Sequence, residues 1–255
     1  MERRNILPAA LLTLLTLLTA CGGDGGAATT ATTTGATSTT GATTTAGPTT
    51  TAAAPGAPRD VAFPTADGLT LEGRLFPAGS EWVLLAHMYP ADMTSWFEFA
   101  AAAQEAGFTA LAYNNRGYGG SGGTKDLIDV GADALGAIAF ARANGASGVF
   151  FFGASMNGAA ALFAAAEADL AGIASLSGVP AWDNTPGLER APAVTARALF
   201  VAAEDDGDAV ETARLMADAV GGSHEVVTYP TGGHGTAMFA ANPGLTTLLL
   251  DFLTT

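Results

Sequence analysis

Residues 150–158 read FFFGASMNG, and this stretch decides how the chain folds. Three consecutive phenylalanines predict a strand that is buried on both faces, because a strand with one face in water alternates apolar and polar residues. The glycine and alanine that follow permit a tight turn, and the alanine-rich stretch 156–168 predicts a helix directly after it. Ser155 therefore lies between a buried strand and the first turn of a helix, whose N–H groups favour negative charge nearby.

Outward from this stretch, short apolar strands alternate with helical segments. Strands are predicted at 82–87, 108–113, 149–152, 172–177, 199–203 and 225–229. Helices are predicted from a capping box at 95–98 to residue 106, and at 126–144, 156–168, 209–220 and 236–252. Near the start, Asp67-Gly68 separates two strand-like runs and predicts an antiparallel hairpin. The fold class is therefore α/β: a doubly wound, mainly parallel sheet with an N-terminal antiparallel hairpin and helices on both faces.

The turn at Ser155 resembles the nucleophile elbow of the α/β-hydrolase superfamily. The resemblance covers residues 62–255 and is greatest to small serine hydrolases without a lid, of the dienelactone hydrolase-like or carboxylesterase-like kind. One position departs from the pattern: Asn157 stands where the family usually has glycine, which is expected to open the elbow slightly. In that family the serine is the nucleophile, so the resemblance implies this role for Ser155.

A serine hydroxyl becomes a useful nucleophile only beside a base. His234 lies in the sequence TGGHG between the last predicted strand and the last predicted helix, which is where the resemblance places the base. The alternative is His224, at the start of the last strand. His87 lies at the end of the first parallel strand, and we expect its side chain to be structural rather than catalytic.

The imidazole in turn needs an orienting acid. Residues 203–208 read AEDDGD and follow the strand predicted at 199–203. The family's Gly-x-x-Asp pattern maps its acid onto Asp206, with Asp205 and Asp208 as alternatives. Ser155, Asp206 and His234 would then form a catalytic triad in the chain order typical of α/β-hydrolases.

The resemblance also implies an oxyanion hole made of two backbone N–H groups. One is that of Met156, directly after the serine. The other is that of Tyr89, because residues 87–90 read HMYP and resemble the family's His-Gly-x-Pro loop. Met88 replaces the usual glycine there, a second departure from the pattern.

Residues 115–121 read NRGYGGS and resemble the family's Asp-x-Arg-Gly-x-Gly-x-Ser loop. Arg116 is one of few cations in the domain, and we expect it to tie loops together, with binding of a substrate carboxylate as the alternative. Ser121 follows a glycine run without an elbow and is a poor candidate for the nucleophile.

The first residues predict export. Arg3 and Arg4 precede an uncharged apolar stretch at 6–20, which is about the length of a signal-peptide core. Residues 18–21 read LTAC and resemble the lipobox of bacterial lipoproteins, in which the cysteine is acylated. Cys21 is the only cysteine in the chain, so an intramolecular disulfide is excluded. An ordinary cleaved signal and a twin-arginine signal are the alternatives.

Changes in amino-acid composition along the chain predict the domain boundaries. Residues 1–20 are predicted to be the lipoprotein signal peptide, and 21–58, rich in Thr, Ala and Gly, a disordered tether. Residues 59–255 are predicted to be the α/β-hydrolase domain. The formal net charge of −14 argues against nucleic acid as a partner and against electrostatic attraction to anionic lipid. Contact with the membrane is therefore expected only through acylated Cys21, on the outer face of the bacterial cell membrane.

These features together imply a serine esterase that acts on a small-molecule or envelope ester, without a metal or cofactor. Only residues 178–197 separate two of the predicted strands, which leaves little room for a lid. Fold alone does not decide function. An acyltransferase or amidase with the same triad, or an inactive surface binding protein on a hydrolase scaffold, remain alternatives, and the oligomeric state stays open.

Overall fold

The computed structural model describes residues 55–126 and 129–255. The predicted signal peptide, Cys21 and most of the predicted tether lie outside the described residues. Within the described ranges, no helix has the length and apolar character needed to cross a membrane.

One mixed sheet forms the centre of the described chain. Its strands are β1 (Arg59–Pro64), β2 (Thr70–Phe76), β3 (Glu81–Ala86), β4 (Thr109–Tyr113), β5 (Gly148–Ala154), β6 (Gly172–Leu176), β7 (Arg197–Ala203) and β8 (His224–Tyr229). They lie in the order β1-β2-β4-β3-β5-β6-β7-β8. The pairs β1/β2 and β2/β4 are antiparallel, and the remaining pairs are parallel. The predicted hairpin and parallel sheet are therefore confirmed.

Helices cover both faces of this sheet. They are α1 (Phe97–Glu105), α2 (Val130–Ala143), α3 (Met156–Glu167), α4 (Gly187–Arg190), α5 (Ala209–Ala219), α6 (Met238–Ala241) and α7 (Gly244–Thr254). Along β5 the side chains alternate: Phe151 packs in the core shared with α2, α3 and α5, whereas Phe150 and Phe152 pack in the core shared with α1 and α7. Successive side chains of a strand point to opposite faces of the sheet, and helices cover both faces here. A central strand is therefore apolar at consecutive positions.

The last helix is not continuous as predicted. A 3-10 turn at Gly235–Ala237 leads into α6, and α7 begins only at Gly244. The break falls at Asn242, whose φ of −126° leaves the helical region because a proline at position 243 disfavours that region for the residue before it. The freed Asn242 side chain donates a hydrogen bond of 2.8 Å to the carbonyl of Thr231, in the loop that carries His234.

The predicted capping box at 95–98 is wrong as well. Asp92 caps the start of this segment: its carboxylate accepts the N–H of Thr94 at 2.9 Å and begins a 3-10 turn at Met93–Trp96. Ser95 lies inside that turn, where its hydroxyl donates to the Asp92 carbonyl. Similarly, α2 begins later than predicted, because Asp129 accepts the N–H of Ala132 and caps the helix there.

Candidate active site

Ser155 occupies the single residue between β5 and α3, in a backbone conformation that L-amino acids rarely adopt. Its φ is 52° and its ψ is −112°. Neighbouring backbone groups hold it there: its N–H donates to the Leu176 carbonyl at 2.9 Å, and its carbonyl accepts the N–H groups of Gly158 and Val179. Strain of this kind persists only where the surroundings fix the backbone, and it is concentrated at functional sites.

The turn requires glycine at position 153. A β-carbon added to Gly153 would lie 2.0 Å from the carbonyl oxygen of Asn157, so no larger residue fits without movement of the helix. Asn157 does not open the elbow as expected, because its backbone keeps this close approach while its side chain reaches other loops. The Ser155 hydroxyl forms no hydrogen bond to any part of the chain that the structure describes. It is thus available to a base or a substrate.

The His234 imidazole is oriented by a carboxylate. Nδ1 of His234 lies 2.8 Å and 3.0 Å from the two carboxylate oxygens of Asp206. An ionised carboxylate can only accept, so Nδ1 carries the proton of the neutral ring and Nε2 keeps its lone pair. The His234 side chain is 43% exposed and the Asp206 side chain 16%. The imidazole is therefore held in the tautomer whose Nε2 can accept a proton.

The loop that carries His234 packs against the end of β5. A β-carbon added to Gly235 would lie 3.5 Å from Cβ of Ala154, the neighbour of Ser155, and 2.7 Å from the Met88 sulfur. The chain neighbours of Ser155 and of His234 therefore lie close enough that a methyl group added to Gly235 would contact Ala154. Within the described residues no hydrogen bond joins the two side chains, and in enzymes without substrate such bonds are often long.

The three candidate acids have different surroundings. Asp206 is the hydrogen-bond partner of His234, as described above. Asp205 instead accepts the N–H groups of Gly232 (3.0 Å) and Gly233 (2.9 Å), and these bonds lower the pKa of its carboxyl. Asp208 is exposed and contributes only its backbone to the start of α5. Asp205 is therefore an anchor of the His234 loop, a role that the sequence did not indicate.

The other two histidines are placed differently from His234. The His87 ring is fully buried; its Nδ1 donates to the Met88 carbonyl at 2.9 Å, and its Nε2 accepts the N–H of Asn115 at 3.1 Å. These two partners fix a neutral ring, and burial lowers the pKa of His87. His224 is exposed at the first residue of β8, whereas His234 follows the last. With both ring nitrogens engaged, His87 has the structural role that we expected.

The N–H groups of the two predicted oxyanion donors have no backbone acceptor among the residues that the structure describes. Met156 is the first residue of α3, where a helix offers N–H groups without intrahelical partners. The backbone N–H of Tyr89 has no acceptor within residues 55–126 and 129–255, and the residue is 54% exposed. Met88 packs on Gly235, so the loop of Tyr89 contacts the loop of His234.

Arg116 and Ser121 have structural partners. The Arg116 guanidinium binds the buried carboxylate of Asp133 and the carboxylate of Asp67, each at 2.8 Å, and so joins α2 to the β1–β2 turn. The hydroxyl of Ser121 donates to the Asn114 carbonyl and accepts the N–H of Glu72. Arg116 therefore ties loops together as expected, and its charge is already neutralised by protein carboxylates. Ser121 likewise has the properties of a loop residue and not of a nucleophile.

No group of three or more His, Cys, Asp or Glu side chains within residues 55–126 and 129–255 is arranged to hold a metal ion. The strained serine, the paired imidazole and the two backbone N–H groups instead follow parallel strands at their carboxyl ends, where α/β proteins place their ligands.

Known proteins share this architecture. A family model described as the alpha/beta hydrolase fold matches residues 81–200. An esterase from Pyrococcus furiosus is 15% identical, with a TM-score of 0.64 over 78% of this chain and 90% of that one. No curated protein sequence matches the chain.

Two further solved structures are similar over nearly their whole length. An esterase from Exiguobacterium antarcticum is 15% identical, with a TM-score of 0.64 over 76% of this chain and 99% of that one. An enol-lactonase from Burkholderia xenovorans is 17% identical, with a TM-score of 0.64 over 76% of this chain and 100% of that one. The chain therefore has the α/β-hydrolase fold.

Proposed function

We propose that this chain is a serine hydrolase that cleaves carboxylic esters through an acyl-enzyme on Ser155. The observation that carries the proposal is that Ser155 lies near a loop whose histidine is held by Asp206 in the proton-accepting tautomer. The backbone of Ser155 is strained, and its hydroxyl forms no hydrogen bond within the described residues. The similar solved structures include two esterases and an enol-lactonase, which supports chemistry at a carboxylic ester.

In the first half of the reaction, Ser155 Oγ attacks the carbonyl carbon of the ester while His234 Nε2 takes its proton. Asp206 stabilises the imidazolium that forms. The C–O bond to the alcohol then breaks, and the imidazolium returns the proton to the leaving alcohol. In the second half, His234 takes a proton from water as the water oxygen attacks the acyl carbon. The bond between that carbon and Ser155 Oγ then breaks, the imidazolium returns the proton to Ser155 Oγ, and the acid is released.

Negative charge develops on the carbonyl oxygen in both halves. The N–H groups of Met156 and Tyr89 bind this oxyanion, and one such donor contributes about 3–4 kcal/mol to the transition state in related chemistry. The first turn of α3 adds the positive end of its dipole at the same place. Catalysis then depends on donors that are in position before the substrate arrives.

The short connection between β6 and β7 supports a site without a helical lid. Between these strands the chain forms only α4 and a three-residue 3-10 turn. An open site suits small esters, or longer esters that lie across its mouth, including esters of the cell envelope.

We also propose that residues 1–20 direct export and that acylated Cys21 anchors the mature protein on the outer face of the membrane. The lipobox-like sequence LTAC at 18–21 supports this location, and these residues lie outside those the structure describes. The test is fractionation of cells that express the full chain. Wild type in the membrane fraction with Cys21→Ser released would support the anchor, and an unchanged distribution would exclude it.

The activity is tested with a fluorophosphonate probe on the full chain, beside Ser155→Ala, His234→Ala and the matched control Ser121→Ala. We expect labelling of wild type and of Ser121→Ala, none of Ser155→Ala, and slow labelling of His234→Ala. A panel of p-nitrophenyl esters of increasing acyl length then measures turnover. A folded wild type that does not react would overturn the proposal and favour an inactive binding protein. Labelling without ester turnover would favour an amidase or acyltransferase.

A further inference from the structure

Asn157 is the unusual residue of the elbow, and it is fully buried. Its amide nitrogen donates two hydrogen bonds, 2.6 Å to the carbonyl of His87 and 2.7 Å to Oδ1 of Asn115. The partner at His87 is a backbone carbonyl, which can only accept, so the orientation of the Asn157 amide is determined. Its oxygen has no partner within the described residues. The contribution of the Asn157 side chain therefore lies in the two hydrogen bonds that its amide nitrogen donates.

The two acceptors belong to different loops. His87 starts the loop that leads to Tyr89, and Asn115 lies in the loop after β4. Asn115 is itself fixed, because its amide nitrogen donates to Asp133, the partner of Arg116, and its backbone N–H donates to the His87 ring. His87 is therefore held at two points, at its carbonyl by Asn157 and at its ring by Asn115.

We propose that Asn157 is a positioning residue that sets the width of the oxyanion hole. Asn157 follows Met156 in the first turn of α3, so its side chain is rigidly connected to one donor. Through the His87 carbonyl it holds the chain two residues before Tyr89, which supplies the other donor. Donors must be fixed within about 0.5 Å to stabilise a transition state, and a buried amide joining the two segments meets that need. This inference rests on the proposed function.

Glycine, the usual residue at this position in the family that the elbow resembles, has no side chain with which to make this connection. A buried acceptor without a partner disfavours folding, so an asparagine whose oxygen is unpaired is a costly way to fill space. The loop it holds also departs from the family pattern, with Met88 in place of glycine. Asn157 and the loop at 87–90 thus both differ from the family pattern, and one hydrogen bond joins them.

The test uses Asn157→Ala and Asn157→Asp in the full chain, with Asn144→Ala as the matched control. Asn144 lies at the end of α2, where its amide donates only to the Phe140 carbonyl. Active sites are first counted by fluorophosphonate titration. We expect kcat per titrated site to fall about 10- to 100-fold in both Asn157 variants, with KM nearly unchanged, because misplaced donors weaken the transition state and not substrate binding. Affinity for a trifluoromethyl ketone, which forms an oxyanion adduct with the serine, should fall by the same factor.

The outcomes separate this inference from the proposed function. Wild-type kcat per titrated site in the Asn157 variants, even with a lower melting temperature, would show a purely structural role and overturn the inference alone. A fall in kcat without a matching loss of adduct affinity would also overturn it. A folded wild type that does not titrate would overturn both proposals.

Discussion

Asp206 and His234 are 28 residues apart in sequence, yet both oxygens of the Asp206 carboxylate lie within 3.0 Å of Nδ1 of His234. The relationship follows from the sheet. Strands β7 and β8 are parallel neighbours, with Ala203 opposite Tyr229, so the loops after them leave the same edge side by side. Because β7 and β8 are paired, the Asp206 carboxylate reaches Nδ1 of His234 and holds the proton of the neutral ring on that nitrogen.

Replacement of Asp206 by asparagine tests this relationship. An asparagine amide can donate to Nδ1, which leaves the proton on Nε2 and removes the base from Ser155. We expect kcat for p-nitrophenyl butyrate to fall by about 10⁴-fold at neutral pH, as in a triad with the wrong tautomer. Asp208→Asn, the matched control on the exposed neighbour, should stay close to wild type. Retention of most activity in Asp206→Asn would exclude Asp206 as the orienting acid.

We expect Asp205 to stabilise the His234 loop in a pH-dependent way. Hydrogen bonds from Gly233 and Gly232 hold the pKa of its carboxyl below the ordinary value of 3.8. A lowered pKa in the folded state means that the stabilisation is complete above that ordinary value and is lost as the pH falls through the lowered one. We therefore expect the melting temperature of Asp205→Ala to be lower than that of wild type at about pH 6. This difference in melting temperature should disappear below about pH 4.

Thermal unfolding of both proteins over this range is the measurement, with Asp208→Ala as the control that should show no such difference. Exchange of the Gly233 amide proton gives a local readout, because that N–H loses its acceptor in Asp205→Ala. A difference in melting temperature that persists unchanged in strong acid would contradict a role for the ionised carboxylate.

The order of strands and helices could be predicted from sequence because each signal is local. The apolar run of β5, the small residues of the turn and the Asp67-Gly68 hairpin all act within a few residues. The break at Asn242 was not predicted, although the proline after it is a local signal for the end of a helix. The helix start at 92–96 was misplaced because aspartate and serine both suit an N-cap, and the upstream residue begins the turn first.

The site could be predicted only in part, since it depends on distant contacts. Three acids lie within 205–208, and only the position of the His234 loop shows which one meets the imidazole. Asn157 contacts a carbonyl 70 residues away and an amide 42 residues away, and no local pattern contains that information. Sequence therefore predicts which types of residue lie at the strand ends, whereas the contacts among them depend on packing.

Gly153→Ala tests the geometry of the elbow. The added β-carbon would meet the Asn157 carbonyl at 2.0 Å, and neither backbone segment can give way without moving β5 or α3. We expect a loss of stability of about 1–3 kcal/mol or more, with loss of probe labelling at Ser155. The matched control is Gly244→Ala, where an added β-carbon meets nothing within 4 Å at the start of a helix. That variant should be neutral or slightly more stable. Equal melting temperatures for the two variants would contradict the close approach.

His87 predicts a second pH dependence, near neutrality. Its Nδ1 faces the Met88 carbonyl and its Nε2 accepts an N–H from Asn115, so the folded chain accommodates only the neutral ring and the pKa of His87 is lowered by burial. The unfolded chain binds a proton near pH 6.5, so the contribution of His87 to stability is complete above that value and declines below it. The slope approaches at most about 1.4 kcal/mol per pH unit for one proton.

Urea unfolding of wild type and His87→Gln between about pH 7.5 and pH 5 measures this term, since His224 and His234 are present in both proteins and cancel in the difference. We expect the free energy of unfolding of wild type to fall more steeply toward acid than that of the variant. Parallel curves would mean that the buried ring takes up a proton as readily as a free one, and the assignment of a fixed neutral tautomer behind the Tyr89 loop would then be wrong.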